Sequence, residues 1–236
     1  MSNDFERRDF ADDEALAPAF AEWTAEKLRA AIAERGAALL IVSGGKTPER
    51  YFEALSTQPL DWTRVEITLA DERRVADDSP RSNARLVRKA LLRNRATVAS
   101  FTPLADVRLE EGQELVAASA RVANLSLPAD VVVLGMGDDG HTASWFPGAD
   151  GLHEAMDRGA RQLVAPIQAP GAPEPRLTLT GRVILRARAI ALLVEGQDKL
   201  KTLAEALEDG PADAMPIRTV LRGASDRLTV FAAERT

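Results

Sequence analysis

Apolar residues in this chain cluster in short unbroken runs, and stretches of helical spacing lie between them. Leu39-Leu40-Ile41-Val42, Val131-Val132-Val133-Leu134 and Ala189–Val194 are apolar at every position. Strands buried on both faces of a sheet have this character. Val65–Ala70 predicts a further strand ending at Asp71-Glu72-Arg73-Arg74, and Gln162–Ile167 and Arg227–Ala232 predict two more. Residues 15–35 place Leu16, Phe20, Trp23, Leu28, Ala31 and Ile32 at helical spacing, with Gly36 suited to the position past the helix end. Pro48 suits a first helical position, with Thr47 as its cap. Ser82–Leu92, residues 107–125 and a segment from Gly196 to about Glu208 complete the predicted helices. Strands alternating with helices predict an α/β fold with a mostly parallel sheet covered on both faces, a three-layer α/β/α arrangement. Composition does not break along the chain, so residues 1–236 read as one domain; only the proline-rich loop at 170–175 offers a place for a subdomain boundary.

Composition narrows the function classes. The chain is 45% hydrophobic and 28% charged, with a net charge of −6. A general nucleic-acid binder usually carries a basic face, so that class is disfavoured. A small anionic substrate needs only a local basic pocket. The chain has no cysteine, which excludes disulfides, thiol nucleophiles and cysteine-based metal sites. The start of the chain lacks the apolar core of a signal peptide, and no run approaches the ~18–20 apolar residues of a membrane span. A cytoplasmic protein with no membrane partner is expected, and monomer and dimer are equally compatible with the pattern.

The chemistry concentrates at strand ends, where ligands bind in open α/β sheets. Gly135-Met136-Gly137-Asp138-Asp139-Gly140-His141-Thr142-Ala143-Ser144 follows the 131–134 strand. The glycines permit a sharp turn and a close approach to a ligand. His141 with Asp139 is a candidate general base with its orienting partner. Gly135, Gly137 and Gly140 also fit a dinucleotide fingerprint, but Asp138 and Asp139 place negative charge where a pyrophosphate would sit, and Pro147-Gly148 comes too soon for the long helix that should follow. Asp139 and His141 with Asp71 or Asp138 are too few ligands to argue a metal site, so none is assigned. His153 has no comparable setting and reads as a surface residue.

Ser43-Gly44-Gly45-Lys46-Thr47 follows the 39–42 strand and is a candidate phosphate loop: backbone N–H groups, a hydroxyl and a helix start together suit an anion. It is not a nucleotide-triphosphate loop, since Leu40 stands where that pattern wants a glycine. Arg73, in Asp71-Glu72-Arg73, has the chemistry to bind an anion or steady developing negative charge. Arg176 and Lys199 matter only if they converge on the same loop.

Taken together these segments resemble the 6-phosphogluconolactonase family. The resemblance is collinear from Ser43 to about Lys199. It rests on S-G-G-K-T-P at 43–48, D-E-R at 71–73, S-N at 82–83, G-M-G-D-D-G-H-T-A-S at 135–144 with Phe146-Pro147, R-L-T-L-T at 176–180 and G-Q-D-K at 196–199. It implies a carboxylic ester hydrolase that opens 6-phosphoglucono-1,5-lactone in the oxidative pentose phosphate pathway without a metal or organic cofactor. It also implies a fold shared with glucosamine-6-phosphate deaminases and ribose-5-phosphate isomerases. His141 would be the general base, with Asp139 orienting the imidazole or the water. Ser43 to Thr47, Arg176 and Lys199 would hold the phosphate, Arg73 would line the reacting end, and Asp71 would sit against the substrate. The deaminases are the nearest alternative, but their D-G-H segment continues into Asn-Glu-Pro, and here Phe146 precedes the proline. A non-catalytic phosphosugar sensor is the alternative from another class; such sensors usually carry an added domain, and no basic helix-turn-helix pattern precedes Ser43.

Overall fold

The structure, a computed structural model, describes residues 5–45, 48–170 and 173–234. In chain order its elements begin with β1 (Glu6–Phe10), α1 (Asp13–Arg35), β2 (Ala38–Val42), α2 (Pro48–Ser56), β3 (Val65–Leu69), β4 (Asp71–Arg73), α3 (Asn83–Leu86), β5 (Ser100–Thr102) and α4 (Glu111–Ala123). They continue with β6 (Val131–Gly135), α5 (Leu152–Met156), β7 (Val164–Ile167), β8 (Arg176–Leu179), α6 (Gly181–Ile184), β9 (Ala189–Glu195), α7 (Gln197–Leu207), α8 (Ile217–Gly223) and β10 (Leu228–Ala233).

Seven strands form one parallel sheet in the order β1-β10-β9-β6-β2-β3-β5. The central strands β2, β6 and β9 are the apolar runs, and nearly every residue in them is buried. Burial of successive residues means that both faces are covered, as the sequence pattern requires. Helix α1 supplies much of one cover. Asp12 caps its start by accepting Ala15 N–H at 2.8 Å, and Gly36 ends it at φ 79°. Its Phe20 and Trp23 meet Phe231 of β10 edge-on, with ring centroids 5.6 and 5.5 Å apart.

The chain steps outward from β2 to β3 and β5, then returns to β6 on the other side of β2 and steps through β9 to β10. Strand order therefore reverses between β2 and β6. The carboxyl ends of two such strands diverge into loops that leave a crevice between them. The glycine loop after β2 and the histidine loop after β6 both open there.

The expected strands are present, but not all in the parallel sheet. Asp71–Arg73, expected as a polar strand end, is itself a strand. With β8 and β7 it forms a separate antiparallel sheet in the order β4-β8-β7. The predicted strand at 162–167 is β7 of that sheet. Connection length explains this: a parallel neighbour needs a crossover of a dozen or more residues, and the loop between β7 and β8 is too short. The predicted helix at 82–92 begins as α3, capped by Ser82, and continues as a π-helical turn over Val87–Leu91. The helix expected over 107–125 is the shorter α4. Elements β1, β5, α5, α6 and α8 have no counterpart in the sequence reading. No helix among the described residues is long and apolar enough to cross a membrane.

Candidate active site

The glycine loop is tied to the neighbouring strand at its first residue, where Ser43 N–H donates to Val133 O at 3.0 Å. Gly45 follows at φ 119°, a conformation that a side chain would strain. The Ser43 hydroxyl is buried without a hydrogen-bond partner among the described residues. Lys46 and Thr47, the other two residues of the expected phosphate loop, lie outside the described residues.

The histidine loop is built around one tight turn. Gly140 N–H donates to Gly137 O at 3.0 Å, and Gly137 N–H donates to His141 O at 2.9 Å. A Cβ on Gly137 would stand 2.2 Å from the His141 ring, so the glycine is what lets the imidazole lie against the turn. Asp139 accepts twice from His141, from the backbone N–H at 3.0 Å and at ring Nδ1 at 2.6 Å. Partial burial disfavours the Asp139 anion. The hydrogen bonds and charge of His141 outweigh that and hold the carboxyl below its ordinary value. An ionised carboxylate only accepts hydrogen bonds, so Nδ1 carries a proton, and in the neutral imidazole the lone pair sits on Nε2. Phe146 stacks on the other side of the imidazole, with ring centroids 4.1 Å apart at 28°. Ala143, on the cleft wall, holds a left-handed φ of 49°, unusual for a residue with a side chain.

The small sheet supplies the arginines. Arg73 and Arg176 are directly paired in register across β4 and β8. The Arg176 guanidinium lies over the Phe146 ring at 4.9 Å and 3.8 Å from Asp71 Oδ2. Burial lowers the pKa of Arg176, opposed by Asp71 and reinforced by the positive Arg73. A guanidinium stays charged regardless. The Nε atoms of Arg73 and Arg176 are both buried with no partner among the described residues. Buried donors are normally satisfied, and unpaired ones carry a cost. Two guanidinium N–H groups and one hydroxyl of residues that line a single cleft thus lack a hydrogen-bond partner among the described residues.

These residues enclose a cavity of about 180 Å³. Ser43, Gly44, Gly45, Asp71, Arg73, His141, Arg176 and Lys199 all line it, as the sequence reading required for convergence. Lys199 reaches it from the first turn of α7. Asp139 stands behind His141 and does not line the cavity. His153 lies exposed on α5. The sequence reading gave no role to Glu72, Asn83 or Ser144, and noted Phe146 only for the carboxylate it replaces. Asn83 lines the cavity, and the other three hold residues that do. The available signals were the motifs that contain them: D-E-R at 71–73, S-N at 82–83, and the 135–144 run with Phe146-Pro147.

Residues 11–230 match the family model described as glucosamine-6-phosphate isomerases/6-phosphogluconolactonase. The chain belongs to this family. A protein of Mesorhizobium japonicum named 6-phosphogluconolactonase is 49% identical over 224 residues, covering 94% of this chain and 92% of the relative. One of Rhizobium meliloti with the same name is 46% identical over 222 residues, covering 94% and 96%. The crystal structure of a 6-phosphogluconolactonase from Shewanella baltica superposes with a TM-score of 0.92 at 40% identity, covering 98% of each chain. The family's α/β architecture is therefore that of the parallel sheet described above, and the residues that line the cavity gather at the crevice between β2 and β6.

Proposed function

We propose that this family member hydrolyses 6-phospho-D-glucono-1,5-lactone to 6-phospho-D-gluconate by general-base activation of water. The observation that carries the reading is the His141–Asp139 pair. In the neutral imidazole that pair leaves the lone pair on Nε2, in a residue that lines the same cleft as Ser43, Arg73 and Arg176.

The chemistry follows from the roles these groups can fill. Nε2 of His141 takes a proton from water as the water oxygen bonds to C1 of the lactone. The Asp139 carboxylate, hydrogen-bonded at Nδ1, stabilises the imidazolium that results. The C1 carbonyl oxygen becomes an oxyanion, against which Arg73 supplies positive charge. When the ring C–O bond breaks, Nε2 returns its proton to the departing ring oxygen, and the products are a carboxylate and a hydroxyl group. General acid–base help is worth ~10²–10⁴ in rate and one oxyanion donor ~10²–10³, enough for an ester already activated as a lactone. No step calls on a metal, so the rate is expected to survive EDTA.

The phosphate is the remote handle. Ser43, the N–H groups of Gly44 and Gly45, Arg176 and Lys199 are the proposed contacts, with Lys46 and Thr47 joining them on the sequence reading. Asp71, which lines the same cavity, pairs with Arg176 at 3.8 Å. Binding energy spent on the phosphate fixes the lactone carbonyl near His141. Phe146 supports the lactonase reading over the deaminase one, because an apolar ring lies against His141 where the deaminases' D-G-H segment leads to a glutamate. Residues from both sheets line one cleft, which supports reading 1–236 as one domain.

Comparing hydrolysis of the phosphorylated lactone with that of glucono-1,5-lactone, after subtraction of the spontaneous rates, tests the reading. A kcat/KM higher by about two orders of magnitude for the phosphorylated compound is expected if charged hydrogen bonds hold the phosphate. Equal values would count against it.

A further inference from the structure

Gly44 has no conformational reason to be a glycine. Its backbone is not in the left-handed region, unlike that of Gly45. What forbids a side chain there is Asn83, since a Cβ on Gly44 would stand 1.8 Å from Asn83 Oδ1 and 2.1 Å from Asn83 Cγ. No side chain tolerates such an approach, and Asn83 has little room to retreat. It is 2% exposed, and both ends of its amide are engaged. Nδ2 donates to Asp71 O at 2.8 Å, and Oδ1 accepts from Arg73 Nη1 at 3.1 Å.

A buried carboxylate fixes Asn83 in turn. Glu72 Oε1 accepts the backbone N–H groups of Arg73 at 2.8 Å and Asn83 at 2.9 Å. Its Oε2 accepts Ala84 N–H at 2.7 Å and the Ser82 hydroxyl at 3.1 Å. Glu72 is 3% exposed and serves as an anchor that ties the start of α3 to β4. One amide thus touches three parts of the site: the glycine loop by contact, the Asp71 backbone by donation and the Arg73 guanidinium by acceptance. Arg73 Nη1 also donates to Arg81 O at 2.7 Å, so both bonds of that nitrogen point away from Nε, the atom left unpaired.

We infer that Asn83 is the positioning residue of this site. It turns the Arg73 guanidinium so that its unpaired face serves the reacting carbonyl, and Gly44 is a glycine in order to receive the Asn83 amide. The kinetic half of this inference rests on the proposed role of Arg73. The steric half does not.

Two double-mutant cycles on the full chain test it. In the first, kcat and KM for the phosphorylated lactone are measured for wild type, Asn83→Ala, Arg73→Lys and the double variant. Asn83→Ala is expected to lower kcat about 10–100-fold, as loss of alignment does, with a smaller change in KM. In the Arg73→Lys background it should lower kcat no further. In the second, melting temperatures are measured for Gly44→Ala with and without Asn83→Ala. Gly44→Ala alone should lower Tm by about 5 °C or more, the cost of overpacking, and Asn83→Ala should then restore part of the loss. The inference requires both couplings. Wild-type kcat in Asn83→Ala, losses that multiply in the first cycle, or Tm losses that add in the second would each overturn it. If wild type itself fails to hydrolyse the lactone, the functional reading fails and the melting cycle alone decides whether Gly44 and Asn83 are coupled.

Discussion

The Ser144 hydroxyl donates to Asp71 Oδ2 at 2.6 Å, joining two residues 73 positions apart and both buried. This bond fastens the histidine loop to the strand that carries Arg73. It also leaves Asp71 Oδ2 as the atom facing Arg176 at 3.8 Å. Ser144→Ala would leave a buried carboxylate short of its best donor. A stability loss of about 1–3 kcal/mol is expected from urea denaturation, together with a raised KM as Arg176 loses its support. Unchanged stability would show that the two loops are held together by other contacts.

Gly137 tests the geometry of the histidine. A Cβ there would collide with His141 at 2.2 Å and with Asp139 Oδ1 at 2.9 Å. Gly137→Ala should therefore act as a partial His141 knockout, lowering kcat about 100-fold while the protein still folds. Steady-state kinetics alongside circular dichroism separates that outcome from unfolding.

Arg176 and Lys199 test the anion site. Each is expected to contribute a charge-assisted hydrogen bond, so Arg176→Ala or Lys199→Ala should raise KM about 10–100-fold and spare kcat by comparison. Arg176→Lys should not restore Arg176, because the guanidinium also lies over the Phe146 ring and a point charge does not reproduce that contact. Finding both alanine variants with a wild-type KM would remove the phosphate from this end of the cleft.

The sequence disclosed what local pattern can disclose. The buried runs of β2, β6 and β9 are apolar on both faces, and the loops after β2 and β6 combine glycine with polar groups, so strand, loop and crevice were all legible. Strand β4 was not, because Asp71-Glu72-Arg73 is charged throughout and is a strand only by virtue of pairing with Arg176–Thr178. Strand β1 was hidden in the same way, since Glu6-Arg7-Arg8-Asp9 owes its conformation to β10 alongside it. Within the site, His141 and Asp139 are neighbours in sequence and were paired from it. Ser144 with Asp71, and Asn83 with Gly44, meet only through the fold, and no periodicity records such contacts.

Asp139 gives a pH dependence whose sign is fixed. Its folded-state pKa lies below the ordinary 3.8, so the ionised carboxylate favours the folded state. That contribution is present above 3.8 and is lost as pH falls through the lowered value. The stability advantage of wild type over Asp139→Asn should therefore shrink as pH falls below 3.8. Because Asp139 is half-exposed, the advantage is modest, and denaturant midpoints measured in parallel are the suitable readout. An advantage that fails to shrink below pH 3.8 would contradict the assigned ionisation.

The central claim is that His141 activates water at the lactone carbonyl. The most direct test is the rate of 6-phosphoglucono-1,5-lactone hydrolysis by wild type and His141→Ala at saturating substrate, each with and without EDTA and corrected for spontaneous opening. A turnover loss of about 10²–10⁴ in the variant, with wild type indifferent to EDTA, is the predicted result. A His141→Ala enzyme that turns over at the wild-type rate would contradict it.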